Sequence, residues 1–168
     1  MNDALKAIDC ALCALPDKMN RPEARVMLIA IGLQESRLIH RRQLVGNPPR
    51  PTGPATGLWQ FERGGGVTGV LNHRASRDYA HALCRIRDVD ATPGEVWAAL
   101  QHDDVLAAGF ARLLLWTDPH RLPAMGDDQA AWDLYIRTWR PGKPHQQTWD
   151  ALYKQAVELG AHGARDSE

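Results

Sequence analysis

What is scarce in this 168-residue chain narrows its chemistry before any motif is read. No sign of charge predominates. Twenty lysines and arginines balance twenty aspartates and glutamates, so no global field draws the chain to nucleic acid or to an anionic membrane, and recognition has to be local. Long apolar runs are missing too. The longest, Val26 to Leu33, falls far short of the roughly 20 residues that span a bilayer. Three cysteines are odd in number and too few for a disulfide framework, which suits a reducing compartment. Cys10 with Cys13 forms a CxxC, and His81 with Cys84 an HxxC, together a formal zinc ligand set. Both pairs lie in helical patterns without the Gly or Pro of a metal knuckle, so they read as buried thiols packed as small hydrophobes, and neither metal nor cofactor is expected. No strand precedes the CxxC, which argues against thioredoxin-like chemistry. Also lacking are alternating apolar and polar stretches of strand length and any internal repeat. The opening "MNDALKAIDCALCALPDK" carries acids within its apolar stretch and no basic leader, so synthesis in the cytoplasm without a secretory signal is expected.

What is present is helix. With 44% hydrophobic residues and six tryptophans, the length suits one domain over residues 1–160, followed by a flexible tail at 161–168. Asn2 or Asp3 can cap a first helix running to Leu15, and Pro22 opens a second that continues to Leu38. Residues 41–57 hold enough proline and glycine to forbid a regular element, which predicts a long surface loop. A short helix is expected at Val67 to Leu71, another from Ser76 to about Val89, and a third after the capping box Thr92 to Glu95, over Pro93 to His102. Asp103 or Asp104 opens a helix whose Ala107, Ala108 and Gly109 allow close packing. Asp127 or Asp128 caps a helix through Trp139, and Thr148 starts a last one that Gly160 ends. The expected fold class is all-α, with at most a minimal β-turn or hairpin.

The second helix contains an anomaly. Leu28, Ile31, Glu35 and Leu38 fall at i, i+3, i+7 and i+10, which is one stripe of the helix surface. A carboxyl group in line with core residues must find donors, open onto a cleft, or keep its proton through a raised pKa. The plainer alternative is a helix turning polar as it leaves the core.

"LQESRL", followed after a polar loop by "GLWQFE", then by "AAGFARLLL" and later by "AWDLY", resembles the lysozyme-like peptidoglycan-cleaving domains, the soluble lytic transglycosylases and goose-type lysozymes, including versions encoded by bacteriophages. The likeness spans roughly Pro22 to Pro141. It implies a lysozyme-like globular helical domain in which Glu35 and Ser36 end a helix and face a turn made of Gly57, Leu58, Trp59 and Gln60, with Trp59 where the family has Met. Glu35 would then be the general acid that protonates the bridging oxygen between N-acetylmuramic acid and N-acetylglucosamine. Ser36 would bind near the sugar or steady the acid, unless it merely bonds its own helix. Gln60 would offer its amide to an acetamido group, unless it satisfies local backbone. Trp59, Phe61 and Trp139 could stack on sugar faces or belong to the core.

A lytic transglycosylase manages with one carboxylate, because the muramic hydroxyl attacks the anomeric carbon and closes a 1,6-anhydro ring. A hydrolytic muramidase needs a second. Glu62 stands where goose-type lysozymes carry an aspartate, against which weighs a surface carboxylate paired with Arg63. The family's Ala-Tyr-Asn-Ala-Gly motif is altered here: Ala131, Trp132 and Asp133 align with its start, and the lost hydroxyl falls to Tyr135 one turn later, within an aromatic stripe of Trp132, Ile136 and Trp139. Arg37, Arg41, Arg42, Arg50 and Arg63 cluster about the proposed cleft and could attract peptide carboxylates, or form an ordinary solvated loop. The expected partner is the peptidoglycan glycan strand, bound by a monomer, with no nucleic acid or membrane partner; other phage virion proteins are further candidates. Carriage in a phage particle or release through a holin would bring the chain to the wall. The other readings are the hydrolytic muramidase using Glu35 and Glu62, an inactive wall-binding or virion structural protein and, last, a zinc-stabilised module.

Overall fold

The structure, a computed structural model, describes residues 1–163. Its axis is helix α2 (Pro22–Ser36), in which Val26 through Leu33 are all buried. A helix apolar on every side has to be enclosed, and α2 packs against α1 (Asn2–Ala14), α6 (Asp104–Trp116) and, most extensively, α8 (Gln146–Gly163). The contact with α8 is close. A Cβ on Gly160 would lie 2.7 Å from Val26 Cγ2, so this glycine makes room between helices and does not end one. That corrects the expected stop at Gly160: α8 begins at Gln146, before Thr148, and runs through Gly163, while the rest of the expected tail lies outside the described residues.

Between α2 and α6 the chain folds in the predicted order. A π-helical turn (Arg63–Val67) leads into α3 (Thr68–Asn72), followed by α4 (Arg77–Ile86) and α5 (Pro93–Ala99). Helix α7 (Asp128–Trp139) precedes α8. The caps explain the starts. Thr92 Oγ1 accepts from the Glu95 amide at 3.4 Å, Asp103 Oδ1 from Leu106 at 2.9 Å, and Asp127 Oδ1 from Ala130 at 3.0 Å. Ser76 departs from its predicted role. It precedes α4, but its hydroxyl donates to the Val70 carbonyl at 2.8 Å and ties α4 back to α3. The first helix departs as well, since its N-cap is Met1.

The described residues are mostly helical, as expected, and the minimal hairpin that the expectation allowed is extended to a small antiparallel sheet of order β1-β2-β3, formed by β1 (Arg42–Val45), β2 (Arg50–Thr56) and β3 (Phe61–Glu62). Most of the stretch predicted as loop is therefore a hairpin, with Val45 opposite Arg50 and Leu44 opposite Pro51. Its prolines are tolerated for a positional reason. β3 pairs only with Ala55 and Thr56, so the upstream part of β2 has a neighbour on one side alone, and a missing N–H there interrupts no second ladder. Trp97 of α5 anchors the hairpin by donating to the Pro54 carbonyl at 2.9 Å, with the Arg42 guanidinium 4.6 Å over its ring.

The cysteine reading is corrected in part. Cys84 is buried, but Cys10 and Cys13 are exposed on α1, and among the described residues no group of three or more His, Cys, Asp or Glu is placed to hold a metal ion. No helix there is long and apolar enough to cross a membrane.

Candidate active site

Glu35 sits in the last turn of α2, half-buried. Loss of hydration pushes its carboxyl up from the ordinary 4.5 to about 7, against the opposing pull of a hydrogen bond that Tyr135 donates. That bond, Tyr135 Oη to Glu35 Oε1 at 2.7 Å, is the contact on which the site is built. It anchors one carboxyl oxygen. The other takes no hydrogen bond among the described residues and is not sealed from solvent. Tyr135 is itself buried, and burial first, then the charge of Glu35 and the bond to it, hold the phenol far above its ordinary pKa, so it stays a donor.

Tyr135 is held by rings on α7 and α8. It stacks on Trp149 with centroids 5.2 Å apart, and packs against Trp132 at 5.3 Å and Trp139 at 6.4 Å. Aromatic residues at helical spacing therefore form a core stripe from which one hydroxyl is aimed at the acid.

The turn at Gly57 to Phe61 joins the same junction. Ser36 Oγ is 2.7 Å from the Leu58 carbonyl and 3.2 Å from that of Gly32, Trp59 Nε1 donates to the Leu28 carbonyl at 2.9 Å, and Trp139 Nε1 donates to the Trp59 carbonyl at 3.0 Å. The helix ending in Glu35, the turn and α7 are thus bound pairwise. Gly57 makes the turn possible: its φ is +74°, and a Cβ would meet the Leu100 carbonyl oxygen at 2.7 Å.

Several expected sugar contacts are corrected. Trp59 has no exposed surface and cannot stack on a ligand; it packs beside Gly32, where a Cβ would collide with the Leu38 side chain and lie 3.3 Å from Trp59 Nε1. Phe61 is buried between Phe110 and Trp139, and Leu58 and Ser36 are buried as well. These four hold the turn in place. Gln60 is half-buried, but its Nε2 donates to the carbonyls of Gly57 at 2.9 Å and His40 at 3.2 Å, so local backbone takes its donors. Glu62 is exposed on β3 and forms no ion pair with Arg63, against the paired alternative.

Backbone conformation adds a feature that the sequence did not disclose. Of five non-glycine residues with positive φ among the described residues, four adjoin this junction: Arg37 (59°), Leu38 (53°), Gln60 (53°) and Arg140 (49°). Left-handed backbone costs an L-residue roughly 1–2 kcal/mol, and such costs gather where geometry serves function. Two cavities of about 420 and 440 Å³ are elsewhere, against α5 and the loops beside it; Arg87, His102, Asp103 and Asp104 line one, Asp88, Asp90, Glu95 and His102 the other, and Glu35 lines neither. No protein-family model, curated protein or solved structure matches this chain.

Proposed function

We propose that the chain cleaves the β-1,4 bond between N-acetylmuramic acid and N-acetylglucosamine in peptidoglycan, as a lytic transglycosylase of lysozyme-like type with Glu35 as its single acid and base. One observation carries this reading: a half-buried carboxyl that titrates at about 7, fixed through one oxygen by Tyr135 and open at the other. A general acid works best with its pKa near the working pH. Glu35 gives its proton to the bridging oxygen as the bond to the anomeric carbon breaks. The muramic 6-hydroxyl then adds to that carbon and returns its proton to Glu35, closing the anhydro ring without consuming water. Tyr135 is a positioning residue that fixes the carboxyl rotamer. The altered tyrosine motif, which alone would suggest lost activity, is offset by this phenol.

The hydrolytic alternative rests on the exposure of Glu62, which leaves a second carboxylate unneutralised by Arg63. Digestion of purified peptidoglycan, with products weighed by mass spectrometry, separates the two. Anhydro-muramic ends lost in Glu35→Gln support transglycosylation. Products heavier by one water, lost also in Glu62→Gln, support hydrolysis. No soluble product from wild type on several wall types removes both and favours a binding protein.

A further inference from the structure

The chain is neutral as a whole, but its charge is not spread evenly. Residues 36–61 contain four arginines and no acid, and residues 134–149 contain two arginines, one lysine and no acid. These two segments meet at Glu35. Tyr135 reaches Glu35, Trp139 reaches Trp59, and Gln34, next to Glu35, donates to the His145 carbonyl at 3.1 Å while accepting from Thr148 Oγ1 at 3.0 Å.

Not all of these cations are available. Arg41 is neutralised by Asp104 and Arg137 by Asp118, and Arg42 is committed to the Trp97 ring and the Gly53 carbonyl. Arg37, Arg50, Arg140 and Lys143 are exposed and have no carboxylate partner among the described residues. Two of them stand apart. Arg37 and Arg140 close α2 and α7 in the left-handed conformation, the helix-end position at which glycine is cheapest. Arg37 makes one bond to the Leu33 carbonyl and Arg140 one to that of Arg137, both within their own helix ends. A cation at a helix C-terminus is favourable, yet here each is placed where backbone strain opposes any side chain.

Resting on the glycan-cleaving reading, we infer that Arg37 and Arg140 form a recognition pair for anionic substrate, binding the free carboxylates of the lactyl-peptide arm that muramic acid carries beside the scissile bond. The arm is the chemically suitable source, because the transglycosylation step needs the muramic 6-hydroxyl unsubstituted and so leaves no anion at that position. The cavity lined by Asp88, Asp90 and Glu95 is a poor site for such a ligand.

The test compares soluble, uncross-linked glycan strands with the same strands after their carboxylates are converted to neutral methylamides. Wild type is expected to show a KM about tenfold higher on the neutral strands, with the change in KM rather than kcat, and the difference should shrink at high salt. The double variant Arg37→Gly/Arg140→Gly is expected to lose that discrimination while melting no lower than wild type, an outcome that a merely structural role would not give. An amidase that strips the peptide removes its carboxylates and frees one new carboxylate on the lactyl group, where the amide had been. Retained affinity for these strands shows that a carboxylate anywhere on the arm satisfies the pair, and weakened affinity assigns recognition to the carboxylates of the peptide; both support a carboxylate on this arm. Equal KM of wild type on charged and neutral strands overturns the inference and leaves the cleavage reading standing, whatever the variant does. Failure to cleave either strand overturns both.

Discussion

Tyr135 Oη lies 2.7 Å from Glu35 Oε1, a hydrogen bond between residues one hundred positions apart that joins the end of α2 to the middle of α7. Neither element would hold the acid alone. α2 drives Glu35 toward the core because its other faces are apolar, and α7 supplies the donor that makes burial tolerable.

The burial of Glu35 has a measurable effect on stability. Its folded pKa of about 7 lies above the ordinary 4.5, so the native state holds this proton more tightly than the unfolded chain. The stabilisation is complete below pH 4.5 and is lost as pH rises through 7, a change of about 3 kcal/mol by linkage. Glu35→Gln has no such proton to lose. It is expected to melt roughly 5–10 °C above wild type at pH 8, with the gap closing at pH 4, as read by calorimetry.

Removing the phenol oxygen should act in the opposite direction to a simple loss of order. The Tyr135 bond lowers the pKa of Glu35, so Tyr135→Phe leaves desolvation unopposed and raises it further. The alkaline limb of the pH–rate profile, where the acid loses its proton, is expected to move upward while kcat falls about tenfold. An unshifted limb would show that Tyr135 does not govern this proton.

Trp139→Phe keeps a ring near Phe61 but leaves the Trp59 carbonyl without its donor. A loss of roughly 1–3 kcal/mol in urea unfolding is expected, together with reduced activity, because the turn and α7 are joined there.

Gly57→Ala tests the turn itself. Positive φ and a Cβ 2.7 Å from the rigid Leu100 carbonyl oxygen both oppose the methyl group, and a loss of at least about 2 kcal/mol is expected by the same measurement.

How far the sequence discloses this site depends on whether each signal is local. Thr92, Asp103 and Asp127 mark helix starts through bonds within a few residues, Pro22 marks one through its fixed φ, and the periodicity about Glu35 needs only one helix. Tyr135 emerges from its distance to an altered motif. The burial of Phe61 and Trp59 is not legible in the sequence, because an aromatic turn residue has the same letters whether it faces solvent or fills a gap. Gly32, a glycine inside an apolar helix, marks a close approach, which Leu38 makes first and Trp59 second. The hairpin was hidden by Pro51 and Pro54, whose harmlessness depends on where β3 stops pairing. The left-handed Arg37 and Arg140 had no sequence mark, since that conformation ordinarily announces itself through glycine or asparagine.

The most direct measurement is the mass of the products released from purified peptidoglycan by wild type and by Glu35→Gln, compared at pH 6 with both proteins shown to be folded. A single sheltered acid closing its substrate on itself gives anhydro-muramic ends with wild type and none with the variant. The same products from both proteins, or none from wild type, would contradict the role assigned to Glu35.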